Sequence, residues 1–285
     1  MLKQNYFKGW YFKCGSGDNA IALIPAFHRH YGRQTASLQV VTKDAAFHVP
    51  LASLRYRENP LTVTAGSCVF SERGIKLRLQ SDTLTLQGKL GFHGLTPLRY
   101  DIMGPFRWIP FLQCRHSVYS MRHQVDGHIF CNGQLFRFQG APGYLEGDCG
   151  NSFPKRYFWT QCFFKNGSLM LSVADVPMSG FCFTGVIGAL LIDKKEYRIA
   201  TYLGARLVYA AGNTVIVRQG GYELTAVLLE KNAQPLHAPD NGKMNRIIHE
   251  SAACKAYYRF SHNGKILCEL INAQASFEFE FPEAR

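Results

Sequence analysis

Gly74-Ile75-Lys76-Leu77-Arg78-Leu79-Gln80-Ser81-Asp82-Thr83-Leu84-Thr85-Leu86-Gln87 is the stretch that decides the fold class. Ile75, Leu77 and Leu79 alternate with Lys76, Arg78 and Gln80. After a turn at Ser81-Asp82, Leu84 and Leu86 alternate with Thr83, Thr85 and Gln87. Side chains of an extended chain point to opposite faces at successive residues, so this pattern predicts an antiparallel hairpin with one buried face.

The same pattern recurs outward from this hairpin. Asn-Gly pairs supply the positive φ angles of a type I′ turn. Three of them, Asn132-Gly133, Asn166-Gly167 and Asn263-Gly264, each separate two strand-like runs. Gly212-Asn213 predicts a further hairpin, and Gly220-Gly221 leads into a strand over 222–230. The final strand, 276–281, carries Phe277, Phe279 and Phe281 on one face. Helical spacing is scarce: Asn245 to Lys255 fits either a short helix, with Arg246 and Glu250 at i,i+4, or an irregular loop. Pro235 and Pro239 mark the segment before it as a loop. The expected class is all-β, with antiparallel barrels or sandwiches.

With 285 residues the chain accommodates two modules. The expected division falls in Gln139-Gly140-Ala141-Pro142-Gly143, giving an N-terminal β-module over 1–140 and a C-terminal barrel module over 141–285. Hydrophobic residues make up 47%, aromatics 13% and charged residues only 18%, a balance suited to strands enclosing an apolar space. A barrel of about eight strands leaves room for one small ligand.

The formal net charge of +12 raises the question of nucleic acid. The basic residues are spread singly along the outward faces of strands, so no nucleic-acid partner is expected. The plain reading of that charge is a solvated basic surface, with contact to an acidic membrane surface or an anionic ligand as the other use. The nine cysteines contain no pair closer than Cys149 and Cys162, which argues against a thiolate zinc site and for a reducing, cytoplasmic compartment. The opening residues Met1 to Lys8 lack the apolar core of a signal peptide. The longest apolar run, Gly180 to Ile192, falls short of the roughly 20 residues a membrane-crossing helix needs.

At mid-chain, Gly143-Tyr144-Leu145-Glu146-Gly147-Asp148-Cys149-Gly150-Asn151-Ser152-Phe153-Pro154 packs two carboxylates, three glycines and a proline into an expected turn and runs into the aromatic stretch Tyr157-Phe158-Trp159-Thr160-Gln161. Glu146 and Asp148 share a face if this segment is extended. Either they work as acids inside a cavity, or Asp148 braces the turn while Glu146 pairs with an arginine. Trp10, Tyr11, Trp159 and Gln161 either line a pocket or pack the core. His116 and His123 fall on opposite faces of a regular strand and are candidate proton shuttles. His28 and His30 share a face, but with no third ligand identified no metal is expected.

Three segments resemble the tocopherol cyclase family. Tyr6-Phe7-Lys8-Gly9-Trp10-Tyr11-Phe12-Lys13 is similar to its F-x-G-W-Y-F opening. Glu146, Gly150, Phe153-Pro154, Trp159 and Gln161 follow its central Glu-x-x-x-Gly-x-x-Phe-Pro-x-x-x-x-Trp-x-Gln signature. Pro235-Leu236-His237-Ala238-Pro239 resembles its P-L-x-A-P loop. The resemblance implies two lipocalin-like β-modules packed together, as in carotenoid hydratases. It also implies closure of a prenyl tail onto a phenol, without redox cofactor or metal. The plant members carry Lys and Trp where this chain has Gly147 and Cys149.

Such a reaction needs an acid to protonate an alkene, a cavity that excludes water, and aromatic faces over the cation, worth about 2 kcal/mol when desolvated. The expectation is therefore a cyclase or hydratase of a hydrophobic prenylated molecule, an isomerase or lyase. Glu146 or Asp148 would be the proton donor, and Trp10, Tyr11, Trp159, Gln161, His116 and His123 would contact substrate. The rival is a non-catalytic carrier of an apolar molecule or lipid. An acid projecting into an enclosed apolar cavity separates the two.

Overall fold

The computed structural model describes residues 5–15, 19–110, 112–178, 180–230 and 232–281. Residues 1–4, on which part of the signal-peptide reading rests, lie outside them. The described residues contain no α-helix and form two antiparallel sheets. None of their helices is long and apolar enough to cross a membrane.

The first sheet contains β1 (Tyr6–Cys14), β2 (Ile21–His30), β3 (Arg33–Thr42), β4 (Ala46–Leu51), β5 (Leu54–Glu58) and β6 (Leu61–Ala65). It continues with β7 (Cys68–Ser71), β8 (Gly74–Gln80), β9 (Thr85–His93), β10 (Cys114–Cys131) and β11 (Gln134–Gly150). Its order is β4-β3-β2-β1-β11-β10-β9-β8-β7-β6-β5. The second contains β12 (Tyr157–Phe164), β13 (Gly167–Met178), β14 (Phe181–Ile192), β15 (Lys195–Ala200) and β16 (Arg206–Ala211). To these it adds β17 (Thr214–Gln219), β18 (Tyr222–Glu230), β19 (Gln234–Asp240), β20 (Lys243–His262) and β21 (Lys265–Phe279). Here the order is β15-β14-β13-β12-β21-β20-β18-β17-β16, with β19 attached to β20. Both modules are lipocalin-like.

Each module fills its own interior. Trp10, Phe12, Leu38, Phe70, Phe136 and Phe138 belong to the first core, and Phe158, Val217, Tyr258, Phe260 and Phe277 to the second. A third buried cluster joins the modules through Tyr11, Tyr144, Tyr157, Trp159, Phe163 and Met170. Strand alternation explains the division of labour. In β12, Phe158 and Cys162 face the second core while Tyr157, Trp159 and Phe163 face the first module. The strand is therefore buried on both sides and reads as an apolar run broken only by Thr160 and Gln161. Arg122 of the first module donates to the carbonyls of Phe164 (2.7 Å) and Gly167 (2.8 Å) in the second, so part of the positive charge binds the modules together.

Four expectations need correction. The 245–255 segment is no helix or loop but the middle of β20, paired with β19 on one edge and β21 on the other. The proline segment is the strand β19 and not a loop. It pairs with β20 only, and on an edge strand a missing proline N–H leaves no ladder bond broken. Its other side is met by Gln39, which donates to His237 O at 2.9 Å and accepts from His237 N at 2.8 Å. The hairpin turn read at Asn166-Gly167 sits at Lys165-Asn166, because Gly167 already pairs with Phe164. A Cβ on Gly167 would stand 1.7 Å from Leu191 O, so glycine is required there by β14 and not by the turn. Finally, β11 runs unbroken through the Gln139–Gly143 linker-like stretch, and the change of sheet falls between Gly150 and Tyr157. The glycines in that stretch serve local needs: Gly140 has a φ of 60°, and a Cβ on Gly143 would strike the His123 ring.

Candidate active site

A chamber of about 180 Å³ lies between the modules and not inside either barrel, whose cores are filled by their own side chains. β1, β2, β10 and β11 wall it from one side, and β12 to β14 with β19 to β21 from the other. Most of the wall is apolar, including Ile24, Met103, Phe106, Leu112, Phe153 and Leu236. Titratable groups break it, among them His116, Glu146, Asp148, Glu250 and Glu278.

β11 places Glu146 and Asp148 on one face, and β10 sets His116 directly across from Asp148. His116 Nδ1 lies 2.9 Å from Asp148 Oδ1 as a hydrogen bond. Its Nε2 lies 3.0 Å from Glu146 Oε2, an ion-pair contact whose angle misses hydrogen-bond geometry. The ring thus stands between two carboxylates. Burial disfavours its charged form, but Glu146 and Asp148 outweigh that and hold the imidazolium well above the usual histidine range. Glu146 Oε2 also accepts from Tyr144 Oη and from Trp159 Nε1, the latter at 3.3 Å. Among the described residues no backbone N–H bonds to either carboxylate, so side chains alone hold them. His116, Glu146 and Asp148 offer ligand-type atoms within 4.8 Å of one another, near enough to hold a metal ion. As arranged, the ring nitrogens face the carboxylates and the imidazolium occupies that position.

Facing this cluster is a second acidic pair. Glu250 and Glu278 sit directly opposite each other on β20 and β21. Tyr11 Oη donates to Glu250 and Tyr157 Oη donates to Glu278. Burial raises the Glu250 carboxyl to about 7, against the Tyr11 hydrogen bond and Lys13. It raises Glu278 well above the carboxylate range, with the neighbouring Glu250 adding to it.

The residues singled out in the sequence separate into two groups. Glu146, Asp148, His116, Tyr11 and Trp159 come together at the chamber, with the Tyr11 and Trp159 rings 5.3 Å apart at 71°. Trp10 is fully buried in the first core, against Tyr56 at 5.1 Å, and only borders the chamber. Gln161 and His123 are not on its wall. The Gln161 amide is fully buried with neither polar atom bonded to protein. His123 packs on Phe92 at 4.5 Å and bonds Ser120 at 3.2 Å, and burial lowers it to about 4. His28 lines the chamber and His30 bonds Asn241 O at 2.9 Å; they do not converge with a third ligand among the described residues. Glu250, Glu278, Tyr144 and Tyr157 were missed. Phe277, Phe279 and Phe281 on one face do imply Glu278 on the other, whereas a helical reading of 245–255 concealed Glu250.

Gly147 also shapes the site. A Cβ there would lie 2.9 Å from Gly9 O and 3.2 Å from the Trp10 ring, so a lysine at this position would not fit without displacing β1.

Fold and site together define a two-module, lipocalin-like β-protein with an acid-lined chamber at the module interface. Residues 104–179 match the tocopherol cyclase-like family, a segment that holds His116, Glu146, Asp148 and Trp159. A probable chloroplastic tocopherol cyclase from Oryza sativa subsp. japonica is 28% identical over 72 residues, which is 25% of this chain and 15% of the rice protein. The chain is thus matched to well under two thirds of that relative. In three dimensions it is similar to CghA, with a TM-score of 0.64 at 10% identity, covering 99% of this chain and 90% of CghA. The AttH candidate from Nitrosomonas europaea gives 0.52 at 11% identity, covering 99% and 97%. At these identities the solved structures establish the fold.

Proposed function

We propose that this chain is an acid-initiated, cofactor-independent cyclase or hydratase acting on a prenylated hydrophobic small molecule, an isomerase or lyase. The observation that supports it most is Glu146: it is 4% exposed, held by side chains only, and faces a half-open, mostly apolar chamber. A carrier needs the chamber but gains nothing from burying charge, which costs free energy unless used. The imidazolium between two carboxylates leaves a net charge of minus one at the wall, the sign that stabilises a developing carbocation. Trp159, Tyr11 and Tyr157 offer ring faces to the same cation. Phenol or water oxygen then closes the reaction. CghA has been solved with the small molecule Sch210972, which supports a small-molecule occupant for this fold. Incubating the protein with a geranylated hydroquinone in buffer alone tests the reading. Chromanol or hydrated product is expected, and recovery of bound but unchanged probe would establish the carrier instead.

A membrane surface is the proposed source of such a substrate. Trp108 is 76% exposed, with the Arg107 guanidinium 4.8 Å from its ring, next to Phe106 on the chamber wall. An indole over a cation suits an anionic lipid interface. Trp108→Ala is expected to weaken sedimentation with phosphatidylserine-containing vesicles without altering turnover of detergent-dispersed probe. All nine cysteines are free, in keeping with the proposed cytoplasmic location.

A further inference from the structure

The alkene must receive a proton, and the His116 cluster is badly placed to give one. Asp148 already accepts a hydrogen bond from the ring, and Glu146 is in ion-pair contact with it. The opposite wall holds two carboxyl groups with a different arrangement. Glu250 and Glu278 are cross-strand partners, so their side chains leave the sheet on the same face at neighbouring points. Both line the chamber, at 1% and 9% exposure. One oxygen of each is taken by a tyrosine hydroxyl, Tyr11 on Glu250 and Tyr157 on Glu278. The second oxygen of each has no hydrogen bond from any described residue. Two buried carboxyls this close cannot both be ionised without strong repulsion.

The groups facing the pair offset its charge only in part. From β1 come Tyr11 and Lys13, whose ammonium donates to Gln274 O at 2.8 Å. Burial lowers that lysine to about 8, and its charge offsets only part of the burial that raises Glu250. From β11 come Glu146 and Asp148, both negative towards the pair. β12 adds Tyr157, and Arg246 is 3.4 Å from Glu280 rather than from either pair member.

We infer that Glu250 and Glu278 share one proton and act as the chamber's acid–base pair, with Glu278 donating and Glu250 receiving. This rests on the cyclase reading above. The alkene π electrons form the new C–H bond with the Glu278 proton. The nucleophile's oxygen lone pair forms the C–O bond, and the O–H proton passes to the Glu250 carboxylate. A proton shift across the pair restores the start. No oxidant, reductant or co-reactant is consumed in cyclisation, and hydration consumes one water.

Infrared difference spectroscopy of the full chain, with and without geranylated hydroquinone, tests the pair directly. A protonated carboxyl stretch that shifts on H/D exchange is expected at neutral pH, lost in Glu278→Gln. Turnover in that variant should fall by about 100-fold or more, with probe affinity kept. Glu250→Gln provides a second variant with the same expected loss. The wild-type rate should rise as pH rises through about 7, where Glu250 becomes the receiving carboxylate, and fall only at higher pH, where Glu278 loses the proton it donates. Product made in D2O should carry one deuterium on carbon. Wild-type turnover that survives in both variants would overturn the pair and leave the cyclase reading standing. Absence of any protonated carboxyl band would also overturn it. A band removed by Glu278→Gln, in a protein that turns over no probe, would support the shared proton while overturning the cyclase reading.

Discussion

Glu146→Gln is expected to leave a folded protein that still binds a hydrophobic probe and to cut turnover by roughly 10²–10⁴-fold. The amide is isosteric with the carboxylate, and its oxygen can still accept from Tyr144 and Trp159. What disappears is one negative charge at the wall. The net charge of the cluster goes from minus one to zero, and cation stabilisation goes with it. The substitution also removes one of the two groups that keep His116 charged. The sign of the stability effect follows. His116 has a folded pKa above its unfolded value, so its contribution is full below about 6.5 and is lost as pH rises through the higher folded value. Glu146→Gln should shrink that contribution, lowering stability most on the acidic side. Single-turnover rates, probe affinity and thermal denaturation across pH check this. Loss of folding at neutral pH, with no soluble protein to assay, would instead mark Glu146 as a structural carboxylate.

Trp159→Ala is expected to cost about 3–5 kcal/mol of stability. The indole is 6% exposed, packs edge-on to Tyr11 and bonds Glu146, so its removal opens space between the modules and frees a buried acceptor. The loss should appear in the denaturant midpoint whether or not ligand is bound. Trp159→Phe keeps most of the ring volume but not the N–H, and should cost clearly less. Equal losses in the two variants would assign the energy to the hydrogen bond and not to packing. Because the residue sits at the joint, lowered cooperativity between modules is the expected accompanying change.

The strand pairs and most hairpins were legible in the sequence because they rest on local rules. The 74–87 alternation and the turns at Asn132-Gly133, Gly212-Asn213 and Asn263-Gly264 depend only on neighbouring residues. Each of these three turns has its positive-φ pair in place. The i,i+2 spacing of Glu146 and Asp148 likewise needed only an extended backbone. Local rules failed where a neighbour in space overrode them. Pro235 and Pro239 read as loop because their edge position was invisible, and Gly167 read as a turn residue because the approach of Leu191 was invisible.

Alternation in the chain by itself determined an all-β protein, since a period of two is written into consecutive residues, whereas the acid-bearing mid-chain stretch reads as a turn and is the end of β11. Which acids meet was decided only by tertiary structure. Glu146 and His116 come from adjacent strands of one sheet, and Glu250 and Glu278 from the other. Their distances depend on how two filled modules dock, leaving the chamber between them. No run of neighbouring residues encodes that docking, because the forces that set it act between side chains far apart in the chain, such as Tyr11 and Glu250, 239 positions apart.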